Sequence, residues 1–411
     1  MKVYIETYGC AVNQGDASIM QGLIERRGYE IVEDASLADI LIIVTCTVID
    51  TTQQRMLSGI RKFKEKYNGK KIVVAGCMAS AQPELVKKVA NDAILVSPLE
   101  VISIVDAIEG RKTYAGIKAG IERKVSLSMN IPISDGCLYR CSYCITKKAR
   151  GNLISYPLDL LYEDIKKAIE KGCKEIRLTS QDTASYPNLP ELIKKVASIE
   201  GNFRVRVGMM HPLSAYKILD EIIEAFKDEK VYKFLHLPLQ SGSEKILERM
   251  KRGYNLDIFL EIVEAFRKEI DVTLATDIIV AFPGESEEDF NETIEAIKKL
   301  EPDVTNVTRF SPRPSTPCWH MKRISTEVAK GRSRIASKVA DEISLKRNKR
   351  WIGRKTRVLV LDEYKGWRVG KNDFYKSVFL KNAEIGEFLD AKIFNATITH
   401  LEGEIAKEKV L

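Results

Sequence analysis

Long apolar runs are missing from this chain of 411 residues, and so is a leader of basic, apolar and small residues; the start, MKVYIETYGC, reads as a strand. Neither a membrane span nor a secretory signal is therefore expected, and the protein is expected in the cytoplasm. Histidine is scarce, with four in all. His211 and His236 have no partner at metal-binding spacing and are read as lining or core side chains. A cytosolic setting also argues against disulfides, which leaves the eight cysteines (10, 46, 77, 137, 141, 144, 173 and 318) for metal or redox chemistry or for plain burial. Cys173, in a helix-to-strand turn, and Cys318, after a proline-rich loop, are read as ordinary.

Hydrophobic content of 45% and charged content of 30% are those of a globular protein, and the length calls for two or three domains. The net charge of +8 is unevenly spread: residues 322–357 hold thirteen basic side chains against three acidic ones. Such a band is the footprint of a polyanionic partner, or else a solvated helix face.

Residues 1 to about 112 alternate strand and helix. The runs KVYIETYG, DILIIVT and KIVVAG are rich in Val and Ile, as buried parallel strands are, and predict a doubly wound α/β domain. Each ends in a cysteine: Cys10, Cys46 and Cys77, spaced by 36 and 31 residues. Ligands collect at the carboxyl ends of such strands, so these three can converge on one point; burial of each as a small apolar residue is the competing reading. About 112–126 reads as a linker.

From 126 to about 345, six strand candidates alternate with amphipathic helices, the pattern of a parallel (β/α) barrel or partial barrel, which carries its chemistry at the strand carboxyl ends. The candidates there are Thr179, Gln181 and Asp182 in TSQD, suited to an ammonium group, and Gln240 and Ser241 in the QSGS turn. Asp277 is a carboxylate in an apolar run that needs a hydroxyl or a cation, while Arg206 and Arg309 are able to pair with a carboxylate. From 348 to 411 short alternating runs predict a small antiparallel barrel. Its Trp351, Trp367, Phe374 and Tyr375, interleaved with basic residues, suit RNA, although some must be core.

The stretch DGCLYRCSYCITKKARG sets Cys137, Cys141 and Cys144 in C-x-x-x-C-x-x-C spacing, and no Cys or His follows for twenty residues. A closed zinc site needs four ligands. A 4Fe-4S cluster on three cysteines leaves one iron open to chelate a small molecule. A zinc knuckle with a remote fourth ligand, or three buried structural cysteines, is the alternative.

The spacing resembles that of the radical S-adenosylmethionine (SAM) enzymes. With TYGC..N, VTC, AGCMA, LPLQSGS, TDIIVAFPGE and SPRPST in order, the whole chain resembles the methylthiotransferase family. CSYCITKKARG, LTSQDTASY and RVGMMHP are most similar to its archaeal and eukaryotic branch, which acts on N6-threonylcarbamoyladenosine (t6A) beside the tRNA anticodon. Other branches act on isopentenyl-adenosine in tRNA or on a ribosomal-protein aspartate.

The resemblance implies that Cys137, Cys141 and Cys144 ligate the SAM-cleaving 4Fe-4S cluster and that Cys10, Cys46 and Cys77 ligate an auxiliary one. It implies SAM both as radical source and as methyl donor, with Thr179, Gln181, Asp182, Arg206, Gln240, Ser241 and Asp277 as cofactor contacts. An RNA-binding TRAM domain would form the C-terminus and the tRNA anticodon arm would be the partner, with an electron donor and a sulfur source besides. The reaction would be abstraction of the hydrogen on carbon 2 of adenine by a 5'-deoxyadenosyl radical, followed by transfer of a methylthio group. Departures from the family pattern are Ala11 and Val12 in place of a polar pair, Ile49 in place of a basic residue, and Ser315 in place of a glycine. An RNA-binding protein with structural metals is the reading from another class.

Overall fold

The structure is a computed structural model that describes residues 1–48 and 50–406. The chain forms two compact units, one of residues 1–187 with 311–319 and the other of residues 188–310 with 320–411. No helix among the described residues is long and apolar enough to cross a membrane.

In the first unit, strands β1 (Lys2–Thr7), β2 (Glu30–Ile31), β3 (Ile40–Thr45), β4 (Lys71–Gly76) and β5 (Ile94–Val96) make one parallel sheet in the order β2-β1-β3-β4-β5. Alternation within the apolar runs fills both faces. Ile40, Ile42 and Val44 pack with Ala17, Met20 and Ile24 of the helix Ala11–Arg26, whereas Ile43, Ile72 and Val74 pack with Met56, Leu57 and Ile60 of the helix Asp50–Lys66. The expected doubly wound arrangement is therefore present. The same unit continues with β6 (Ser128–Pro132), β7 (Ser134–Asp135), β8 (Ile154–Ser155) and β9 (Glu175–Thr179); β6 pairs with β9 in parallel, and β7 with β8 in a two-stranded ribbon that brackets the cysteine loop.

The second unit holds β10 (Arg204–Val207), β11 (Phe234–His236), β12 (Thr273–Val280) and β13 (Val304–Arg309), the last three pairing in parallel. The six expected central strands all occur. After the helix Thr326–Lys349 come β14 (Lys355–Tyr364), β15 (Trp367–Asn372), β16 (Ser377–Leu380), β17 (Phe388–Ala396) and β18 (Leu401–Ile405), which close into a barrel; all its pairs are antiparallel except β16 with β18. Trp351 is core here, buried with Val358, Leu380 and Ile393.

Two arginines of the basic band are not available to a partner. Arg332 is buried against Glu285, and Arg347 against Asp303. Asp303 joins three elements, because its carboxylate also takes Lys376 of the C-terminal barrel at 2.9 Å and the Leu274 amide at 3.1 Å. Asn348 extends this join by donating to the carbonyls of Thr397 and Ile398 at 2.9 and 3.0 Å.

Burial works to raise the Asp303 carboxyl, but Lys376 and Arg347 outweigh it and hold it below its usual value. Its ionisation therefore contributes stability that is complete above the unfolded carboxylate value of about 4 and is lost as pH falls through the lower folded value. Asp303→Asn strands two buried cations and is expected to cost about 3–5 kcal/mol at neutral pH. Urea titrations of parent and variant should show that gap, and it should shrink below about pH 4.

Candidate functional site

The six cysteines of the two expected trios all belong to the first unit. Three of them follow directly on glycines in the left-handed region: Gly9 (φ 106°), Gly76 (φ 91°) and Gly136 (φ 75°). At each of these the turn admits no side chain, Gly76 included, where a Cβ would lie 2.7 Å from the Thr45 carbonyl oxygen. A Cβ on Gly9 would lie 2.5 Å from Asn13 Nδ2 and 2.8 Å from Cys46 Cβ, and one on Gly136 would strike the Asn152 carbonyl oxygen. The end of β1 is thereby held against the end of β3.

Asn13, in the first turn of the helix that follows Cys10, fixes this corner. Its amide nitrogen donates to the carbonyls of Tyr8 (3.0 Å) and Thr45 (2.9 Å), and the Cys77 thiol lies 3.8 Å from its oxygen. Burial pushes the Cys77 thiol up to about 11; the Arg150 guanidinium works against that, and thiolates at Cys10 and Cys46 add to it. Cys46 is likewise raised, by burial first and then, after a Val48 amide that opposes it, by Cys10.

The second trio lies on the loop between β7 and the helix Thr146–Arg150. Burial raises the Cys137 thiol to about 11; the Tyr139 amide opposes it, and Asp182, Cys144 and Cys141 add to it. Each trio is thus gathered closely enough for its thiols to act on one another. They are not drawn to ligating distance: among the described residues no three His, Cys, Asp or Glu side chains are placed to hold a metal ion together. Cys46 is packed in an apolar cluster with Met56 and Met78, and Cys77 in one with Ala81, Ile145 and Ala149.

The donor set nonetheless fits a cationic centre. Mutually repelling thiolates in a buried setting are stabilised by a metal, which takes the place of their protons. A polar cofactor also has counterparts here, since Thr179 Oγ1 and Gln181 Oε1, at the carboxyl end of β9, are buried and have no partner among the described residues. Asp182 stands beside them, its amide donating to Ser180 Oγ at 3.0 Å.

The two trios flank one small apolar contact, that of Cys77 and Ala81 with Ile145 and Ala149. Beneath it lies a group of buried charges that sequence reading missed. Lys118 Nζ is 2.6 Å from Asp16 and 2.5 Å from Asp135, and Arg150 bridges the same two carboxylates, reaching Asp16 at 2.7 Å. Arg150 also donates to Asn13 Oδ1 at 2.7 Å, and Tyr156 donates to Asp135 at 2.6 Å. Burial would raise Asp135, but Lys118 and Arg150 hold it well below the usual carboxylate range. The available signal was the strings TYGCAVNQGD and KKARG, which contain Asn13, Asp16 and Arg150 but give no hint that they meet.

The segment 311–319 also returns to this unit. Arg313 donates to the Val48 carbonyl (3.0 Å) and to Gln53 (2.9 Å), and the Cys318 amide donates to the Ser142 carbonyl at 3.2 Å. Ser315, standing where a glycine was expected, keeps a left-handed φ of 66° and takes Lys148 Nζ at 3.0 Å. Ile49 lies outside the described residues.

The remaining candidates belong to the second unit. Ser241 Oγ accepts from the Ser243 amide in its own turn at 3.2 Å and lies 3.2 Å from Thr293 Oγ1, and Gln240 has φ 71° with its Oε1 buried and without a partner among the described residues. Asp277 meets a cation-forming partner as expected, His236 Nε2 at 3.0 Å, and also accepts from Asn306 at 2.8 Å. His211 is buried, and burial together with Arg252 lowers its imidazole to about 2, so it stays neutral.

Comparison with known proteins adds descent to this geometry. Residues 131–297 match the Radical SAM superfamily, and residues 2–97 match "Uncharacterized protein family UPF0004". The chain is 41% identical to the probable threonylcarbamoyladenosine tRNA methylthiotransferase of Pyrococcus horikoshii, over 98% of this chain and 99% of that one. It is 41% identical to the Archaeoglobus fulgidus protein of the same name, over 100% of both. The human threonylcarbamoyladenosine tRNA methylthiotransferase is 34% identical over 98% of this chain and 74% of its own length. Among solved structures, the radical SAM methyltransferase TsrM of Kitasatospora setae superposes with a TM-score of 0.59 over 77% of this chain and 74% of that one, at 13% identity, a likeness of fold alone. Full-length identity at this level, on a radical SAM domain, makes this chain a member of the threonylcarbamoyladenosine tRNA methylthiotransferase family.

Proposed function

We propose that the protein converts N6-threonylcarbamoyladenosine beside the tRNA anticodon to its 2-methylthio derivative, working in the cytoplasm. The observation that carries this reading is the gathering of two cysteine trios in one compact unit, on either side of the Cys77–Ala81–Ile145–Ala149 contact, in a chain of this family. Residues 1–112 would form the domain of the auxiliary cluster, 126–345 the radical SAM partial barrel, and 348–411 a TRAM-type RNA-binding barrel.

In this reading Cys137, Cys141 and Cys144 hold one 4Fe-4S cluster, and Cys10, Cys46 and Cys77 hold the second. When bound, the clusters and SAM supply the radical that removes the unactivated hydrogen of adenine carbon 2 and the sulfur and methyl group that replace it. The chain's own task is to bind, orient and shelter. Asp182 offers a carboxylate to the ammonium group of SAM, and Thr179 and Gln181 offer oxygen atoms that no group among the described residues satisfies. In the second unit Gln240, held left-handed, presents an oxygen that has no partner among the described residues. Asn13 and Arg150 brace the first trio against the loop of the second. The exposed arginines and lysines of the helix Thr326–Lys349 position tRNA phosphates, while base contacts give specificity. An electron donor and a sulfur source complete the set of partners.

Mass spectrometry of nucleosides from tRNA incubated anaerobically with reconstituted protein and SAM tests the reading, and 2-methylthio-t6A is the expected product. Product only on isopentenyl-adenosine or on a ribosomal protein would move the protein to another branch. Zinc in place of iron and sulfide, with no SAM turnover, would leave an RNA-binding protein with structural metals.

Cys141→Ser should abolish both 5'-deoxyadenosine formation and product, measured by chromatography. Cys46→Ser should retain SAM cleavage while product falls to background. Normal product from the Cys46 variant would refute a role for the first trio in sulfur transfer.

A further inference from the structure

The sheet β11–β12–β13 has two unlike faces. Leu235, Leu274, Thr276, Ile278 and Val280 point to the buried one. The register pairs His236 with Ala275 and Asp277 with Asn306, and so sets these polar groups on the opposite face. There His236 is 17% exposed, Asp277 27% exposed, and Asn306 is exposed. A hydrogen-bonded row of imidazole, carboxylate and amide spans three adjacent strands: His236 Nε2 to Asp277 Oδ2 at 3.0 Å, and Asn306 Nδ2 to Asp277 Oδ1 at 2.8 Å. With Nε2 committed to Asp277, Nδ1 of His236 is the ring nitrogen left to face a ligand.

Beside this row lie a guanidinium and two rings. Phe234 is 6.2 Å from the His236 ring and 4.8 Å from the Tyr375 ring, centroid to centroid. Arg206 sits over both rings, 5.0 Å from Phe234 and 5.1 Å from Tyr375. A guanidinium stacked in this way is fixed in place and directs its donors in its own plane, the geometry that takes a carboxylate. Tyr375 comes from the C-terminal barrel and holds φ at 59°, a conformation that a bulky residue adopts only where its surroundings impose it. Its neighbours across the join are Tyr232, Phe234 and Arg206.

We infer that Arg206, His236, Asp277 and Asn306, with the rings of Phe234 and Tyr375, form the seat for the N6 side chain of the modified adenine. This inference rests on the substrate reading above and deepens it. The threonylcarbamoyl group carries a carboxylate, a hydroxyl and a urea. Arg206 takes the carboxylate, His236 Nδ1 and the Asn306 amide take the hydroxyl and urea, and Asp277 orients both His236 and Asn306. An isopentenyl side chain offers these groups no polar atom, and a site built on hydrogen bonds rejects such an analogue. Arg206 and Asp277 are thus assigned to the substrate rather than to SAM.

The test is the affinity of reconstituted full-length protein for two anticodon stem-loop RNAs, one with t6A and one with unmodified adenosine, read as a ratio. The parent should prefer the modified RNA. Asn306→Ala, an exposed position whose truncation spares the fold, and His236→Ala should each lower that ratio by about tenfold, as loss of a hydrogen bond to a charged or well-oriented group does. Arg206→Gln should lower it further. A ratio unchanged in all three variants overturns the inference, and so does a loss confined to SAM affinity, which would return the cluster to the cofactor. If the parent shows no preference and forms no 2-methylthio-t6A, the substrate reading falls and this inference with it. If the parent forms that product while the variants keep their ratio, only the inference fails.

Discussion

Four buried charges, Asp16, Asp135, Lys118 and Arg150, support both cysteine trios. Each side chain is at most 1% exposed, and every carboxylate touches both cations. Burying any one charge alone would cost several kcal/mol, so the arrangement holds only as a balanced set with its hydrogen bonds complete. Its members come from four places in the chain: the helix after Cys10, the segment between the expected domains, the strand before Cys137 and the helix after Cys144. The loop of the second trio is consequently pinned at both ends to the layer that presents the first. Flexible loops alone would leave six thiols free to wander, and a site that must keep reacting atoms within a few tenths of an ångström needs such bracing.

Arg150 has a second effect. Among the groups acting on the Cys77 and Cys46 thiols it is a cation that opposes their burial. A positive charge held this close lowers the cost of gathering thiolates in a buried corner, and it is itself held by Asn13, the residue that closes that corner. The bracing of the frame and the electrostatics of the first trio therefore share one side chain.

How much of this was legible in the sequence depended on whether the signal was local. Apolar runs with Val and Ile announced the parallel strands, and the close spacing of Cys137, Cys141 and Cys144 announced the loop, because neighbours in sequence suffice for both. The C-terminal barrel was legible from its short alternating runs, and Trp351 turned out to be its core rather than an RNA platform. The charge quartet was not legible, since Asp16 and Lys118 lie 102 residues apart and nothing in either segment names the other. Asp277 was recognised as a carboxylate in need of a partner, yet His236, 41 residues away, was set aside as lining. The basic band was read as a polyanion footprint or a solvated helix face, whereas Arg332 and Arg347 are consumed by Glu285 and Asp303. In each case the missing information was a pairing between distant segments, which composition and periodicity do not carry.

Backbone strain follows the same division between frame and site. Left-handed residues other than glycine are costly, and among the described residues they include Gln240 (φ 71°), Ala281 (φ 59°), Ser315 (φ 66°) and Tyr375 (φ 59°). Ser315 is the instructive one. A glycine would adopt its conformation at no steric cost, but it would lose the hydroxyl that takes Lys148 from the helix following Cys144. The strain at Ser315 is thus offset by a tie between the segment 311–319 and the cysteine loop. That segment is also where the chain leaves the second compact unit, enters the first and returns, so the loop carrying the second trio is fastened by residues from both ends of the sequence.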